Sequence, residues 1–292
     1  MTSLPRVSVI GLGSMGLAMA NRLLDQGFEV DFWNRSTRDE QAIIDRGARR
    51  VSLEDALQNP FAISMLSNDS AALEVFSEAA ISLAKPGLIH LNMSTLSLEA
   101  TDELAARHEA LGLGYVASPV LGRPMAITNG KLLIVAAGDS KLIEAAGVVF
   151  EKISAQHWNL GADHKRAILV KLGVNYNLIH ALQAIGESVA LVESGGVDPS
   201  TFVEILTHTA FTGSAYVGYG PMIVNRNYSP PGFSVALGLK DVKLVEDAAA
   251  SGGLVLPVAK VLHQLFEQAL ADDELKDLDW SAIAELTRQR KV

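Results

Sequence analysis

Cysteine is absent from the 292-residue sequence, which excludes disulfide bonds, zinc–thiolate sites and a cysteine nucleophile. No apolar run approaches the ~20 residues that a membrane-spanning helix needs. Positive charge is also scarce, because 24 lysines and arginines face 33 acidic residues and give a formal net charge of −9. This balance argues against nucleic acid or an anionic membrane as a partner. A first strand begins almost at the N-terminus and leaves no room for a signal peptide, so we expect a cytoplasmic protein.

The chain is long enough for two domains, and its two halves have different patterns. Strand and helix signals alternate through about residue 160, which is the pattern of a doubly wound α/β sheet. From about His164 to Glu193 there is no proline and there are only two glycines, so one long helix is predicted. The remaining patterns are helical. We therefore predict an α/β domain over residues 1–163 and an all-helical domain over residues 164–292, linked by the long helix.

A glycine motif lies between the first two predicted strands, residues 7–10 and 28–33. Gly11, Gly13 and Gly16 satisfy G-x-G-x-x-G where a helix should begin. Gly11 allows the tight turn, Gly13 lets the backbone approach a pyrophosphate, and Gly16 lets the helix lie close to the strand. The N–H groups at the start of that helix favour a phosphate, so the motif predicts a dinucleotide site. The other loop residues of this predicted site are Leu12, Ser14 and Met15.

The end of the second strand indicates which dinucleotide is bound. An acidic residue there holds the ribose 2′-OH of NAD, whereas a cation accommodates the 2′-phosphate of NADP. The residues that follow the strand are Asn34, Arg35, Ser36, Thr37 and, slightly later, Arg38. Arg35 can grip a phosphate with its planar fork, and the neighbouring hydroxyl groups can donate to it. Asp31 is the competing acidic candidate, but it lies inside the strand, two residues before its end. NADP is therefore the predicted cofactor.

Two later strands end in residues that should face the same crevice, since loops at the carboxyl ends of a parallel sheet face the ligand. Met65, Leu66 and Ser67 follow one strand and are candidate walls for the cofactor, although core packing explains Met65 equally well. Ser94 and Thr95 follow the next strand. These two residues either cap the following helix or contact a ligand, and their position favours the ligand role.

The long helix carries a cation and an amide on one face. Lys171 and Asn175 are four residues apart and so lie on the same side of the helix, at the start of an apolar stripe. If this stripe is buried, both polar groups need partners. His180 lies on the opposite side of the helix, and we interpret it as an ordinary surface histidine.

Taken together, several segments spread over most of the chain resemble one family. They are Gly11–Gly16, Asn34–Ser36, Ser94–Thr95, Ser118–Gly122, Gly130–Leu132, Lys171–Asn175 and Lys240–Asp241. In this order they resemble the β-hydroxyacid dehydrogenase family, relatives of 3-hydroxyisobutyrate dehydrogenase and of tartronate and succinic semialdehyde reductases. The combination is far more specific than the glycine motif alone.

The resemblance implies roles for five residues. Lys171 would be the catalytic lysine and Asn175 its neighbour at the substrate, while Thr95 and Lys240 would contact the cofactor and Phe233 would lie near the nicotinamide. It also implies a Rossmann domain, a helical second domain and a homodimer whose cleft uses both subunits. The chemistry is reasonable, because a lysine ammonium can stabilise and protonate the oxygen that becomes negative as hydride reaches a carbonyl carbon.

One segment departs from the family pattern. The substrate loop of the family usually reads Asp-Ala-Pro-Val-Ser-Gly-Gly, and its serine and backbone amides hold a substrate carboxylate. Here Leu121, Gly122 and Arg123 end the corresponding run. Leu121 cannot donate that hydrogen bond, so either Arg123 binds the carboxylate or the pocket prefers a less polar aldehyde, ketone or imine. Ser94, Leu121, Gly122 and Arg123 are the predicted substrate contacts.

We therefore predict an NADPH-dependent reductase of a small aldehyde or keto acid. The nearest alternative is an imine reductase or reductive aminase, which shares this architecture. The altered substrate loop favours this alternative, whereas the presence of Lys171 argues against it. The third interpretation is a cofactor-binding assembly module without catalysis, which retention of Lys171 and Asn175 disfavours. No metal is predicted to take part.

Overall fold

The computed structural model describes residues 4–36 and 40–289. It divides into two compact units, Met1–Lys171 and Leu172–Val292. The division falls inside the long helix, which spans Lys165–Ser194 and is labelled α9 below. The single long helix and the α/β-then-helical order are as predicted. The domain boundary placed between residues 163 and 164 stays a prediction.

The first unit is built on a sheet of nine strands. They are β1 (Val7–Ile10), β2 (Val30–Trp33), β3 (Arg49–Arg50), β4 (Phe61–Ser64), β5 (Ile89–Asn92), β6 (Gly114–Ala117), β7 (Val120–Leu121), β8 (Leu132–Gly138) and β9 (Ser154–Asn159). The spatial order is β3-β2-β1-β4-β5-β6-β8-β7, with β9 paired to β8. The first six strands are parallel, whereas β8 is antiparallel to β6 and to β7. The order 3-2-1-4-5-6 is that of a Rossmann sheet.

Helices connect these strands and cover both faces of the sheet. They are α1 (Ser14–Asp25), α2 (Gln41–Ile44), α3 (Leu53–Ala56), α4 (Asp69–Val75), α5 (Glu78–Ile81), α6 (Leu98–Ala110), α7 (Pro124–Thr128) and α8 (Ser140–Ile153). Val7 and Val9 of β1 belong to a core shared with α1 and α8, whereas Ile10 belongs to a second core shared with α6. Alternate residues of a strand point to opposite faces, so each face has its own core.

The second unit, taken by itself, is helical. After α9 come α10 (Pro199–Thr207), α11 (Ser214–Val224), α12 (Val235–Ser251), α13 (Ala259–Ala271), a 3₁₀ helix (Trp280–Ile283) and α14 (Ala284–Gln289). One apolar cluster joins α9 to the later helices, and Phe266 and Trp280 are among its buried aromatic residues. Asp198 caps α10 by accepting the N–H of Thr201, as the Asp-Pro pair predicts.

Two elements differ from the sequence-based expectation. The residue pattern over 38–46, which is followed by Gly47, predicts a helix, but the described part contains only the single turn Gln41–Ile44. Helix α11 was not anticipated, because Pro221 lies inside it and proline normally ends a helix. In residues 4–36 and 40–289, no helix is long and apolar enough to cross a membrane.

Candidate active site and cofactor site

Four parallel strands of the first unit end side by side. Ile10 pairs in register with Trp33 on one side and with Ser64 on the other, and Ser64 pairs with Asn92. The residues that follow these four positions therefore form one row at the carboxyl edge of the sheet, which we call the cofactor edge: Gly11, Asn34, Met65 and Met93. Backbone N–H groups of Gly11, Met65 and Met93 donate back to the neighbouring strands at 2.8–3.0 Å and fix this row.

The three motif glycines have different surroundings. Gly11 has φ +97°, and a Cβ there would lie 2.4 Å from the carbonyl oxygen of Met65. A Cβ on Gly16 would lie 1.9 Å from the carbonyl oxygen of Gly11, so the start of α1 packs closely against the turn that follows β1. By contrast, a Cβ on Gly13 would meet no described atom within 4 Å. Gly11 and Gly16 thus show the tight turn and the close helix packing predicted from the sequence, whereas the approach of a pyrophosphate to Gly13 stays a prediction.

The start of α1 suits a phosphate. Gly13 is its N-cap and has no side chain that could occupy the first N–H groups of the helix, and the first turn has no acidic residue. Open space in front of Gly13 and free backbone donors are what a dinucleotide pyrophosphate requires. Leu12 is buried, Met15 is half-buried and Ser14 is exposed at the mouth of this loop. The residues present therefore fit a dinucleotide cofactor.

The turn after β2 is held by Asn34. Its Oδ1 accepts the N–H of Leu12 at 3.1 Å, and its Nδ2 donates to the carbonyl oxygen of Ser36 at 2.7 Å. Asn34 therefore ties the glycine loop to the turn that carries Arg35. The Arg35 side chain is 74% exposed and lies 3.5 Å from Glu74, so its guanidinium faces solvent at the cofactor edge. Thr37 and Arg38, the other predicted phosphate donors, lie outside the described residues.

The carboxylate of Asp31, the competing candidate for the ribose, is hydrogen-bonded to other side chains of the first unit. It is 2% exposed and receives hydrogen bonds from Arg6 at 2.9 Å, Arg49 at 2.8 and 3.0 Å, and Asn59 at 2.9 Å. Burial raises the pKa of Asp31, but the hydrogen bonds from Arg49, Asn59 and Arg6 outweigh it, so the pKa lies below the ordinary value. Each oxygen of this carboxylate therefore already accepts two hydrogen bonds from side chains of the same unit.

The ends of β4 and β5 contact each other. Ser94 is fully buried, and its Oγ accepts the N–H of Leu66 at 2.8 Å and donates to the carbonyl oxygen of Ser64 at 3.4 Å. Met65 and Leu66 are half-buried and each packs against one of the two cores, whereas Ser67 is exposed and Thr95 is half-buried. The Ser94 hydroxyl thus joins two loops of the cofactor edge, and its predicted contact with substrate stays a prediction.

The predicted substrate loop forms a short strand and a turn. Leu121 pairs with Leu133 of β8 and is half-buried. Gly122 has φ +138°, and a Cβ there would lie 3.0 Å from Ala126, so the turn requires glycine. Arg123 is the half-buried N-cap of α7 and makes no side-chain cap bond. The substrate contacts of all three residues stay predictions.

A buried polar cluster lies in the second unit. Asn175 of α9 is 4% exposed and donates from Nδ2 to Oδ2 of Asp241 on α12 at 2.5 Å. Asp241 is fully buried, and the Lys240 ammonium lies 3.1 Å from its Oδ1, close enough for an ion pair but not aligned for a hydrogen bond. Lys171, the last residue of the first unit, precedes Asn175 by about one turn on the same face of α9 and is only 9% exposed.

Asp241 is the residue to which the sequence reasoning assigned no role. Its carboxylate holds the amide of Asn175 so that Nδ2 faces Asp241, which leaves the acceptor Oδ1 on the other side of the amide. The position of Asp241 could have indicated this role, because Asp241 lies on the buried stripe of α12 together with Gly238, Val242 and Val245. An acidic residue at such a position requires a partner.

Phe233 precedes α12 and packs on the core of the second unit. Its ring contacts Trp280 edge-on, with centroids 4.6 Å apart, and its N–H donates to Asp279 at 3.1 Å. Its position near a nicotinamide stays a prediction. Among the described residues, no group of three or more histidine, aspartate or glutamate side chains is arranged to hold a metal ion.

Comparisons with known proteins agree with this architecture. Residues 6–162 match the family described as the NAD binding domain of 6-phosphogluconate dehydrogenase, and residues 166–287 match the NAD-binding of NADP-dependent 3-hydroxyisobutyrate dehydrogenase. The chain is 33% identical over 283 residues to an uncharacterized oxidoreductase, YfjR, of Bacillus subtilis, covering 95% of this chain and 98% of that protein. It is 30% identical over 286 residues to glyoxylate/succinic semialdehyde reductase 1 of Arabidopsis thaliana, covering 97% and 98%.

Among solved structures, the fold is similar to 3-hydroxyisobutyrate dehydrogenase of Mycobacterium tuberculosis, with a TM-score of 0.86, 24% identity and coverage of 98% and 99%. An imine reductase of Streptomyces aurantiacus has the same fold, with a TM-score of 0.66, 24% identity and coverage of 97% and 100%. The matched families and the full-length relatives confirm the resemblance seen in the sequence motifs. The chain is therefore an oxidoreductase with a nicotinamide-cofactor domain, and it belongs to the β-hydroxyacid dehydrogenase family.

Proposed function

We propose that this protein uses NADPH to reduce a small anionic aldehyde or keto acid to the hydroxy acid, with Lys171 as the general acid. The observation that carries the proposal is the arrangement on α9: a nearly buried lysine lies one turn before an amide that a buried carboxylate holds in place. Buried ammonium groups are rare unless they have a function or a partner.

The bound cofactor supplies hydride to the carbonyl carbon, and the chain supplies the proton. The Lys171 ammonium donates a hydrogen bond to the carbonyl oxygen, stabilises its growing negative charge and then transfers the proton. Asn175 orients the substrate through the part of its amide that Asp241 leaves available. In the reverse direction, neutral Lys171 accepts the proton of the alcohol.

Mutation of Lys171 tests this assignment. Lys171→Met should lower kcat for carbonyl reduction by about 10²-fold or more, the usual contribution of a general acid, while NADP⁺ affinity changes little. Lys165→Met is the matched control, because Lys165 lies on the same helix but is exposed and pairs with Asp102. Turnover in Lys171→Met equal to that of the control would refute the assigned acid.

The choice of NADP over NAD is supported by the contrast between two side chains. Arg35 faces solvent at the end of β2, whereas Asp31 is buried and fully hydrogen-bonded. Arg35→Ala should raise the dissociation constant of NADPH far more than that of NADH, because only NADPH has the 2′-phosphate. Arg46→Ala, which removes an exposed arginine paired with Asp25, is the control. Equal losses for the two cofactors in Arg35→Ala would contradict the proposal.

An anionic substrate is supported by the names of relatives and by Arg123. Curated relatives are named for glyoxylate and succinic semialdehyde and for 3-sulfolactaldehyde, each of which has an anionic group at neutral pH. Arg123 in the substrate loop is a cation that can pair with such a group. Arg123→Ala should therefore raise KM for succinic semialdehyde much more than KM for butanal, which has no carboxylate.

A substrate panel tests the reaction class. Wild type should oxidise NADPH with semialdehydes, and a cyclic imine should be a poor substrate. Preference for the imine would identify an imine reductase, and NADPH binding without turnover of any substrate would favour the assembly module.

We further propose a homodimer, supported by exposed apolar residues of the second unit such as Leu191, Leu254 and Val255. Light scattering of the purified protein measures this directly.

A further inference from the structure

A chain of buried polar side chains lies directly behind the cofactor edge. His90 of β5 contacts His108 of α6 through Nδ1 and Nε2 at 3.1 Å, and its own Nε2 lies 2.8 Å from Oγ of Ser64. At one end, His108 Nδ1 lies 2.7 Å from the carbonyl oxygen of Leu104. At the other end, Ser64 Oγ lies 3.1 Å from Oδ1 of Asn92. These four side chains are at most 1% exposed, and we call them the histidine chain.

When both histidines are neutral, the histidine chain has one hydrogen fewer than its contacts require. It has four contacts, and each needs one hydrogen between the two heavy atoms. Two neutral imidazoles and one hydroxyl supply three hydrogens. The carbonyl oxygen of Leu104 can only accept, so the proton of His108 lies on Nδ1. His90 then donates to His108, and the single hydroxyl hydrogen of Ser64 must choose between His90 and Asn92.

One added proton completes all four contacts. If the histidine pair is singly charged, His108 donates to both Leu104 and His90, and His90 donates from Nε2 to Ser64. Ser64 is then free to donate to Oδ1 of Asn92. The direction of the Ser64 hydroxyl is therefore set by the charge of two histidines that lie deeper in the unit.

The outer end of the histidine chain connects to the cofactor edge. Oδ1 of Asn92 also accepts the N–H of Ser94 at 3.2 Å, and Oγ of Ser94 accepts the N–H of Leu66 at 2.8 Å. Nδ2 of Asn92 donates to the hydroxyl of Tyr115 at 3.0 Å, which fixes the amide orientation. Asn92 thus links the histidine pair to the two loops that follow β4 and β5.

We propose that His90 and His108 are positioning residues for the cofactor edge, and that uptake of one solvent proton by this pair tightens the edge and strengthens cofactor binding. The inference rests on the proposed placement of the cofactor at the ends of β4 and β5. In the neutral histidine chain the Ser64 hydrogen is divided between His90 and Asn92, whereas protonation commits it to Asn92, and this bond restrains the residue that orients Ser94. A more restrained edge loses less conformational freedom when the cofactor binds.

The surroundings of His90 and His108 lower the pKa values of both side chains, so the pair takes up a proton only in the acid range. Burial lowers the pKa of His90 well below the ordinary value, and the neighbouring His108 lowers it further. For His108, burial is the main cause of a pKa of about 4; the Leu104 carbonyl acts in the opposite direction, and Arg107 and His164 add to the lowering. Phe76 stacks on His90 with ring centroids 3.8 Å apart, and Tyr115 stays protonated because burial raises its pKa. Asp102 is the nearby acid, and it acts on Tyr115.

Calorimetric titration of NADP⁺ between pH 7.5 and 4.5 tests the proposal. In wild type, the dissociation constant should fall relative to that of Ser64→Ala by roughly 1.3- to 4-fold over this range, because one hydrogen bond is worth about 2- to 12-fold and a group with a pKa of about 4 is only about one-quarter charged at pH 4.5. The phosphate of the cofactor itself titrates near pH 6, so both proteins are compared with the same ligand. Ser82→Ala, which changes an exposed serine of the same unit, is the control and should follow wild type.

Proton uptake distinguishes positioning from a merely structural role. Binding heats measured at pH 4.5 in two buffers of different ionisation enthalpy should show more protons taken up by wild type than by Ser64→Ala. If Ser64→Ala does not fold, His108→Gln serves instead, because an amide cannot titrate. Parallel pH profiles with equal proton uptake would overturn the inference. Failure of wild type to bind NADP⁺ even at pH 7.5 would instead refute the proposed function.

Discussion

Gly13→Ala should separate cofactor binding from folding. Gly13 has φ −67° and ψ −176°, which alanine adopts without strain, and the added methyl would meet no described atom within 4 Å. Because alanine has fewer unfolded conformations than glycine, the free energy of unfolding should stay unchanged or rise by up to about 1 kcal/mol. No described atom clashes with the added methyl, and the preference of the N-cap for glycine over alanine offsets part of this gain, by about 0.5 kcal/mol.

Cofactor binding should respond in the opposite direction. The methyl would occupy the space through which a pyrophosphate reaches the first N–H groups of α1. A hydrogen bond to a charged group contributes about 1.5–3 kcal/mol, so loss of one such bond should weaken NADP⁺ binding roughly 10- to 150-fold. Calorimetry gives the dissociation constant, and urea unfolding without cofactor gives the stability.

Gly16→Ala is the matched contrast, since the two glycines belong to one motif. Its Cβ would lie 1.9 Å from the carbonyl oxygen of Gly11, so α1 must move away from β1 and the unit should be destabilised. If Gly13→Ala binds NADP⁺ as tightly as wild type, the phosphate does not approach Gly13. If it unfolds as readily as Gly16→Ala, the space in front of Gly13 is not open.

Three further changes have defined outcomes. Acidification should lower the free energy of unfolding by about 3 kcal/mol through His108, because the unfolded chain binds a proton near pH 6.5 and the folded chain only near 4. This contribution is complete above pH 6.5 and is lost as the pH falls towards 4. In urea unfolding, the stability difference between wild type and His108→Gln should therefore be smaller at pH 4.5 than at pH 7. Asp31→Ala should cost about 1–3 kcal/mol in urea unfolding by breaking the bonds from Arg6, Arg49 and Asn59, and a change in the ratio of NADPH to NADH affinity would show that Asp31 reaches the ribose. Gly238→Ala places a Cβ 2.3 Å from the Phe266 ring and should lower the thermal midpoint by an amount equivalent to about 1–3 kcal/mol, whereas a rise would mean that helix propensity outweighs the clash.

Much of the first unit could be predicted because its signals are local. The G-x-G-x-x-G spacing, the apolar strands and the turn residues each act within a few positions, and the rules of parallel sheets then bring their ends together. The same reasoning favoured Arg35 over Asp31 for the cofactor, because the position of Asp31 in β2 precedes the strand end. The structure adds the reason, which is that Asp31 is surrounded by Arg6, Arg49 and Asn59.

Other features depend on partners that are distant in sequence. Asn175 and Asp241 meet across 66 positions, and His90 and Ser64 across 26, so no spacing rule connects them. Helix α11 tolerates Pro221 because the tertiary packing of its buried residues outweighs the lost backbone bond. Sequence patterns identify residues that need partners, but the fold determines which partners they meet.

The turn after β2 bears on how coenzyme preference can evolve. Its shape depends on the amide of Asn34, which bonds to Leu12 and Ser36, and not on the neighbouring Arg35, whose side chain extends into water. A reversal of charge at position 35 therefore needs no rearrangement of the backbone. With the 2′-phosphate role proposed for Arg35, a descendant could change its preference between the two dinucleotides by substitution at this one position, while the amide that shapes the turn is retained.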